Sequence, residues 1–233
     1  MKLCNLIVLV VVWISIPLLQ AQDVLVMDAS IGVAVPLGEF SKADISVQES
    51  GFAGVGGTLR FWTGLKPTKN FGLLFQMIGG LHPAKTAKLK EYVQNTYGIS
   101  VEPVITYYRY GTLQGGIFIS GIVQERWALD ARLAVGYLWA NSSLIDFTSN
   151  GTTYLKIYEG HGKGFSFNAG FGARYKIYKA FYTCMAFDFT GALPTFENVV
   201  TETRNGTQAD FSMKTYTQFM GNLQLTGGLG LAF

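Results

Sequence analysis

Apolar and polar residues alternate along the segment 127–140, which is WALDARLAVGYLWA. Trp127 and Trp139 fall on one face of an extended chain, whereas Asp130 and Arg132 fall on the other. A helix would bury this charged pair among apolar side chains, but a β-strand separates the two sets because its side chains alternate between faces. The segment therefore predicts a strand with one apolar face that is aromatic at both ends.

The same alternation recurs in seven further segments, with the large apolar residues mainly at odd positions. These segments are 24–35, 52–65, 71–81, 104–120, 165–177, 181–193 and 219–233. In the segment 104–120 the alternation is broken, because Tyr108 and Tyr110 take even positions, and a bulge near Gly111 would reconcile its two halves. Eight alternating segments predict an all-β protein.

Short and long connections alternate between the eight predicted strands. The short ones are 66–70, 121–125 and 178–180, and the long polar ones are 36–50, 82–102, 141–162 and 194–214. This order predicts an antiparallel up-and-down meander whose long loops all lie at one end. The sequence shows no internal repeat or linker, so we expect residues 23–233 to form one domain.

The size of the odd-numbered side chains indicates which face of the predicted barrel points outward. The interior of an eight-stranded barrel has room only for modest side chains. The odd face carries Phe, Leu, Val and Ile, whereas the even face carries mainly Gly, Ala, Ser, Thr and a few charges. We therefore expect the odd face to contact lipid, and the sheet to close because every backbone group inside a bilayer needs a partner.

Aromatic residues are predicted to mark the two membrane surfaces. The strand from Trp127 to Trp139, at roughly 3.3 Å per residue and a tilt of about 40°, spans on the order of 30 Å, close to the thickness of the hydrocarbon core. The predicted aromatic girdle comprises Trp127, Tyr137, Trp139 and Tyr175.

The N-terminal segment 1–22 predicts a cleaved signal peptide. Lys2 precedes an apolar run over 6–19, and Ala21 is a small residue suited to cleavage. The run is shorter than the roughly 20 residues that a membrane-spanning helix needs, so we expect export. After cleavage Cys184 would be the only cysteine, which excludes an intramolecular disulfide. Its position on a strand favours a small core residue over a nucleophile.

The composition agrees with an exported β-protein and disfavours several other classes. The 233 residues include 28 glycines, 12 tyrosines and 17 phenylalanines, and only 14% are charged. So many aromatic residues disfavour disorder, and glycine and aromatic residues both weaken helices. The formal net charge of +3, without a basic block, gives no indication of nucleic-acid binding.

Six charged residues on the even face are predicted to point into the lumen. They are Asp28, Arg60, Asp130, Arg132, Arg174 and Asp188. These three acids and three bases could form an ion or proton path, or a paired network that fills a narrow barrel. We favour the network, since buried charges persist only when they are paired. A filled lumen disfavours a general diffusion pore, which needs about sixteen strands.

The sequence shows no catalytic, cofactor-binding or metal-binding pattern. His82 and His161 fall in predicted long loops, where a solvated histidine is the simpler interpretation than a catalytic one. The glycines of 51–61 alternate along a strand and lack the helix that follows a phosphate loop. No metal-ligand spacing is present. We therefore predict that the protein is not an enzyme and has no cofactor, with a lipid A-modifying enzyme as the least favoured alternative.

The predicted loop 82–102 carries a group of basic and aromatic residues. Lys85, Lys88, Lys90 and Tyr92 are candidates for contact with anionic lipopolysaccharide or a partner. A solvated loop without a binding role is the favoured interpretation of the same residues.

Together these features resemble small eight-stranded outer-membrane β-barrel proteins. The resemblance rests on the signal peptide, the eight alternating segments, the stretch AVPLGEF after the first strand and the ending LQLTGGLGLAF. The plan is similar to OmpA/OmpX-type barrels and to the barrel proteins common in Bacteroidetes. It implies the outer membrane of a Gram-negative bacterium, contact with outer-membrane lipid and lipopolysaccharide, and insertion by the barrel-assembly machinery. The residues that resemble the signal read by that machinery are Leu225, Leu229, Leu231 and Phe233.

The resemblance leaves the activity open, because this group of barrels hosts several functions. We expect a barrel with a plugged lumen, whose surface loops have a structural, adhesive or partner-binding role. OmpW-like passage of a small hydrophobic molecule through a lateral opening is the alternative. It requires an apolar cavity in the outer half, for which Tyr108, Tyr110 and Leu138 are the candidate lining. The enzyme hypothesis requires His82 or His161 for activity.

Overall fold

The computed structural model describes residues 24–44, 50–149, 152–205 and 208–233, so the predicted signal peptide lies outside the described residues. Within these ranges no helix is long and apolar enough to span a bilayer. The regular elements are β1 (Leu25–Leu37), a 3₁₀ helix (Gly38–Ser41), β2 (Gly56–Leu65), β3 (Phe71–His82), α1 (Ala87–Tyr97), β4 (Val104–Ile105), β5 (Tyr108–Gln124), β6 (Trp127–Asn141), β7 (Ile145–Ser149), β8 (Thr152–Ile157), β9 (His161–Tyr178), β10 (Phe181–Asn205), β11 (Gln208–Thr217) and β12 (Met220–Ala232).

Eight long strands form a closed antiparallel ring, which confirms the predicted eight-stranded barrel. Their order is β1-β2-β3-β5-β6-β9-β10-β12, and β12 returns to pair with β1 from Val26↔Ala232 to Leu37↔Gly221. The ring leaves no open edge within the barrel, as a lipid environment requires. Three short connections lie at one end, named here the turn end, and the long connections lie at the other, the loop end.

The two faces of the barrel differ as the alternation predicts. In β6, Trp127 and Trp139 are 43% and 45% exposed, whereas Asp130 and Arg132 are each 3% exposed. All eight barrel strands carry exposed large apolar side chains at odd positions. This belt is apolar from one aromatic level to the other and therefore matches lipid rather than water.

Strand β5 begins at Tyr108 and is regular past Gly111, so the predicted bulge near Gly111 was wrong. The start predicted at 104 was also wrong, because residues 104–105 form the separate strand β4, which pairs with β7. The pairing of β5 with β3 runs without a shift through Gly79↔Gly111 to His82↔Tyr108, and the only shift in β5 falls between Ile122 and Gln124. Tyr108 and Tyr110 simply point into the barrel, where they are 7% and 5% exposed. The alternation is interrupted in the sequence because large aromatic side chains take inward positions.

Several large side chains lie inside the barrel, which corrects the expectation that the even face is small or charged. Trp62 is fully buried and Phe118 is 1% exposed. Glycines on neighbouring strands make the room, since a Cβ atom at Gly72 would lie 2.2 Å from the Phe118 ring, and one at Gly64 would lie within 2.7 Å of both rings. A narrow barrel thus accommodates bulky residues where glycine faces them.

The long connections contain regular structure and were wrongly predicted as loops. Helix α1 lies in the connection 82–102, strands β7 and β8 form a hairpin in 141–162, and β10 continues to Asn205, where it pairs with β11. These elements were missed because both faces of their strands are rich in Thr, Ser and charged residues, so the apolar alternation is lost. Outside lipid, a strand needs no apolar outer face.

The loop-end elements form a second, separate core, named here the loop layer. It comprises α1, β4, β7, β8, β11 and residues 195–205 of β10. Residues 201–203 of β10 pair with β8 on one side and with β11 on the other, so the sheet order is β4-β7-β8-β10-β11. Helix α1 packs on this layer through Leu89 and Val93, each 1% exposed.

Candidate functional site

All six predicted lumen charges are buried, none more than 6% exposed, and they form two paired groups. In the first group Asp188 accepts hydrogen bonds from Arg60 at 2.7 Å and from Arg132 at 3.1 Å, and Arg60 also reaches Asp28 at 3.3 Å. In the second, Arg174 donates through both Nε and Nη2 to Asp130, each at 2.7 Å. Each arginine thus has a carboxylate partner, as buried charges require.

Two aromatic residues that the sequence analysis did not single out join this network. The Trp62 indole N–H donates to Asp28, and the Tyr182 hydroxyl donates to the Met27 carbonyl at 3.0 Å. The Arg132 guanidinium lies 5.5 Å from the centroid of the Trp62 ring, and that of Arg174 lies 5.4 Å from the Tyr182 ring. Their even numbers could have identified them, since the alternation alone places even-numbered side chains inside the barrel.

Uncharged polar residues fill the next part of the lumen. Gln76 donates to the Gln114 side-chain oxygen at 2.8 Å, and Gln114 donates to Ser166 at 3.0 Å. Gln224 donates to the Tyr110 hydroxyl at 3.0 Å. The bonds of Gln114 to Ser166 and of Gln224 to Tyr110 join non-adjacent strands. These side chains therefore occupy the cross-section of the barrel instead of lining a channel.

Aromatic side chains close the lumen at the loop end. Phe40, from the 3₁₀ helix, is fully buried, with its ring 5.2 Å from that of His82 and 5.4 Å from that of Tyr108. His82 also stacks on Tyr110 at 5.8 Å. The connection after β1 therefore folds back into the barrel as a plug.

The two histidines occupy different environments, and for His82 the prediction of a solvated loop residue was wrong. His82 ends β3, is fully buried, and its Nδ1 lies 2.8 Å from the Gly54 carbonyl oxygen. No serine or carboxylate is its hydrogen-bond partner among the described residues. His161 begins β9, is exposed, and its Nδ1 lies 2.9 Å from the Asn141 side-chain oxygen. This geometry joins neither histidine to a nucleophile.

The described part of the chain contains no assembled site for metal binding or thiol chemistry. Within those ranges no group of three or more His, Cys, Asp or Glu side chains is placed to hold a metal ion. Cys184 is 4% exposed and packs with Val26 and Trp62 in the lower lumen, which is the half nearer the turn end.

The predicted membrane-surface residues lie where the strand pairing brings them together. At the turn end the rings of Trp127 and Tyr175 lie 5.0 Å apart on paired strands. At the other end of β6, Tyr137 and Trp139 are 50% and 45% exposed. The four residues that resemble the assembly signal lie at odd positions at the end of the chain, three of them at least half exposed.

The predicted surface-contact residues belong to α1 or immediately precede it. Lys88 and Tyr92 are exposed on the helix, Lys90 pairs with Glu102, and Lys85 donates to the Ser41 carbonyl at 3.2 Å. They therefore lie on the outer surface of a folded helix, not on a loose loop.

A cavity of about 250 Å³ lies in the loop layer between α1 and the sheet. Its lining mixes aromatic rings, hydroxyl groups and one ammonium, from residues that include Tyr92, Tyr108, Ser142, Thr201, Lys214 and Tyr216. Burial raises the pKa of Tyr216 to about 12. Tyr108 is the only member of the predicted cavity lining that borders it, because Tyr110 and Leu138 are packed inside the barrel mouth.

An ion pair joins the two strands of the β7–β8 hairpin. Lys156 Nζ lies 2.8 Å from an Asp146 carboxylate oxygen. Partial burial raises the pKa of Asp146, but hydrogen bonds from Lys156 and Thr148 outweigh it, so the pKa lies below the ordinary value of 3.8. The pair therefore stabilises the hairpin at neutral pH and weakens in acid.

No protein-family model matches the chain, and no curated protein matches it in sequence. Among solved structures, a major outer membrane protein from Thermus thermophilus matches with a TM-score of 0.54 and 12% identity, over 90% of this chain and 99% of that chain. Neisserial surface protein A (TM-score 0.48, 9% identity, 90% and 97% covered) and OprG from Pseudomonas aeruginosa (0.47, 9%, 90% and 95%) are also similar. The first of these likenesses shows the fold. The chain has the fold of a small outer-membrane β-barrel protein.

Proposed function

We propose that the chain is a non-enzymatic protein of the outer membrane of a Gram-negative bacterium, whose loop layer binds a partner at the cell surface. One contrast carries the proposal: the lumen is filled by charged, amide and aromatic side chains, whereas the loop layer is a folded unit outside the lipid belt. Passage through the barrel would require displacing paired charges, which is costly. Binding at the loop layer requires no such change.

The experiment uses bacteria that display the full chain. They are applied to surfaces coated with lipopolysaccharide, mucin or the purified chain. Leu89→Asp places a charge in the loop-layer core, while the matched variant Gln94→Asp adds the same charge at an exposed position of the same helix. Heat-modifiable migration in detergent gels reports whether the barrel itself stays folded.

We expect the displaying cells to be retained on at least one coat. Retention should be lost in Leu89→Asp while the folded barrel band persists, and it should be kept in Gln94→Asp. Equal retention of displaying and non-displaying cells on all three coats would overturn the proposal. Retention that survives Leu89→Asp would overturn the assignment to the loop layer.

A second candidate function, retention of a small amphipathic molecule, is favoured by the 250 Å³ cavity. Its mixed lining suits a ligand with an apolar body and a polar head. A fluorescently labelled dodecanoate would bind the purified chain, and Thr203→Phe, which fills part of the lining, would weaken that binding. Binding that is unchanged by the substitution would exclude this cavity as the site.

A further inference from the structure

Strand β11 is a long edge strand that stands outside the lipid belt. It pairs with β10 from Thr195↔Thr217 to Asn205↔Gln208, and among the described residues its other side pairs with no strand. Nine of its ten residues are exposed. An edge of this kind presents unpaired N–H and C=O groups and is a ready template for another strand.

The height of β11 follows from the strand registers. Thr217 lies opposite Thr195, Thr195 opposite Lys163, and Lys163 opposite the girdle residue Trp139. Because the strands are tilted, each of these steps climbs toward the loop end, so the base of β11 lies at or above the loop-end membrane surface. Phe211 is six residues further along the strand, on the order of 15 Å above that level for a tilted strand. The exposed side chains of β11 are thus in water, not in lipid.

Strand β11 is protected only in part, because it carries the charges of Asp210 and Lys214 but not the other usual features of an edge strand. Its sequence, QADFSMKTYT, contains neither proline nor glycine, and its one irregularity lies at its base, opposite the step between Phe196 and Val199. Phe211 and Met213 on its outer face are 61% and 65% exposed. Two large apolar side chains on an open edge in water favour docking of a second strand.

The sequence of β11 is complementary to itself when two copies pair antiparallel about Ser212. In that register Asp210 of one copy faces Lys214 of the other, twice, and these are the only charges on the strand. Phe211 faces Met213, also twice, which brings a thioether against an aromatic ring. Opposite charges and aromatic contacts at directly facing positions are the pairs that stabilise antiparallel strands. Shifting the register by one pair loses both ion pairs.

The symmetry of this pairing fixes the relative orientation of the two barrels. Antiparallel strands in one sheet are related by a two-fold axis perpendicular to that sheet. Because β11 rises from the membrane at the tilt of a barrel strand, such an axis turns the second barrel upside down relative to the first. The second copy therefore belongs to an apposed membrane, not to the same one.

We propose that β11 is a homotypic docking strand, which joins two copies of this chain in facing membranes by antiparallel pairing centred on Ser212. The inference rests on the proposed function and names its partner, a second copy of the chain. Chemically, the contact consists of backbone hydrogen bonds along the free edge, two Asp210–Lys214 pairs and two Phe211–Met213 contacts.

Charge exchange tests the register. The full chain is folded into preformed phosphatidylcholine vesicles, and vesicle clustering is measured by light scattering. Clustering is expected for the natural sequence and should be lost for D210K and for K214D, since each places like charges opposite each other. It should return when D210K vesicles are mixed with K214D vesicles, and in the double variant D210K/K214D, because both arrangements restore opposite charges. Glu91→Lys, on the exposed face of α1, is the matched charge control.

Cysteine cross-linking tests the centre of the pairing independently of charge. S212C places two thiols directly across the two-fold axis, at a separation that a disulfide can span. T215C faces Ala209 of the partner, so it should give no cross-linked dimer and serves as the matched control. Cys184 is buried, so it contributes no background.

Each outcome supports or overturns the proposal. Recovery of clustering in the mixed vesicles, together with dimers of S212C but not T215C, supports it. Absence of clustering by the natural sequence overturns the homotypic contact, even when cells are still retained on mucin or lipopolysaccharide, in which case the proposed function stands without it. Clustering that is insensitive to D210K and to K214D assigns the contact to another surface and likewise overturns the role of β11.

Discussion

The lumen and the loop layer are both buried regions of one chain, but polar side chains hold the lumen together and apolar side chains hold the loop layer together. Eight strands surround the lumen, which is held by Arg60, Arg132 and Asp188 and by amide hydrogen bonds. The loop layer has an apolar core between one helix and a small sheet with a free edge. The difference follows from the surroundings. A barrel in lipid places its apolar residues outside and its polar residues inside, and a layer in water does the reverse.

The two regions also differ in role, since the lumen stabilises the barrel and the loop layer carries the proposed binding function. The lumen has every arginine paired and offers a partner little accessible surface, whereas the loop layer exposes α1, the β7–β8 hairpin and the edge of β11. Variants in the two regions should therefore differ in which property they change.

The largest effect is expected from Asp188→Asn in the lumen. The amide keeps the size of the carboxylate but removes the charge that holds Arg60 and Arg132, and loss of one partner in a buried pair costs about 3–5 kcal/mol. The melting temperature of the folded barrel in detergent should fall strongly. Asp146→Asn in the loop layer is the matched control and should change it little. An equal fall in melting temperature for Asp188→Asn and Asp146→Asn would contradict the distinction between the lumen and the loop layer.

A large but local effect is expected from Leu89→Ala in the loop layer. Truncation of a buried leucine costs about 2–5 kcal/mol, and here the loss should fall on the packing of α1. Trypsin should cleave beside Lys88 and Lys90 faster, while the heat-modifiable barrel band stays unchanged. Gln94→Ala, on the exposed side of the same helix, is the control. A barrel that melts earlier by the same margin would show that the two cores are one cooperative unit.

An intermediate effect is expected from Gly72→Ala in the lower lumen. The added methyl group would lie 2.2 Å from the Phe118 ring and 2.8 Å from the Leu65 carbonyl oxygen, so the wall or the ring must move. Overpacking of this kind costs about 1–3 kcal/mol. Gly115→Ala, whose methyl group meets nothing closer than 4.0 Å, should be nearly neutral. The midpoint of urea unfolding measures both, and identical midpoints would contradict the tight packing of the lumen.

The smallest effect is expected from acid on the β7–β8 hairpin. Because the pKa of Asp146 is depressed in the folded state, its ion pair with Lys156 contributes stability above pH 3.8, and this is lost as the pH falls through the folded pKa. A pair of this kind near the surface contributes about 0–1 kcal/mol. Amide protection factors in the hairpin should fall between pH 6 and pH 3 in the natural protein and less in Asp146→Asn. An equal fall of the protection factors in Asp146→Asn would show that the ion pair does not stabilise the hairpin.

The barrel could be predicted from the sequence because lipid imposes a single rule on its outer face. Large apolar residues at odd positions identify all eight strands, and the six even-numbered charges that parity places in the lumen are buried there. The even numbers of Trp62 and Tyr110 also predict that their side chains point into the lumen. Their large size, however, disagrees with the expectation that the lumen holds only modest side chains. Only the glycines on neighbouring strands, which create the space, resolve that conflict.

The loop layer could not be predicted by the same rule. The strands β8 and β11 lack the continuous apolar outer face of the barrel strands. The core of the loop layer joins residues distant in sequence, such as Phe52, Leu89 and Phe147. Likewise, the pairing of Arg60 with Asp188, 128 residues apart, depends on ring closure. Sequence periodicity reports which face a residue occupies, but not which partner it meets across the barrel.

The claim that the lumen is filled by side chains is tested most directly by electrical recording. The full chain is inserted into a planar lipid bilayer in concentrated potassium chloride, and the current is followed at constant voltage. The account predicts a current that stays at the level of the protein-free bilayer, without discrete steps. Steady, reproducible conductance steps from the inserted natural protein would contradict it, because ions would then be crossing a lumen that these side chains are expected to close.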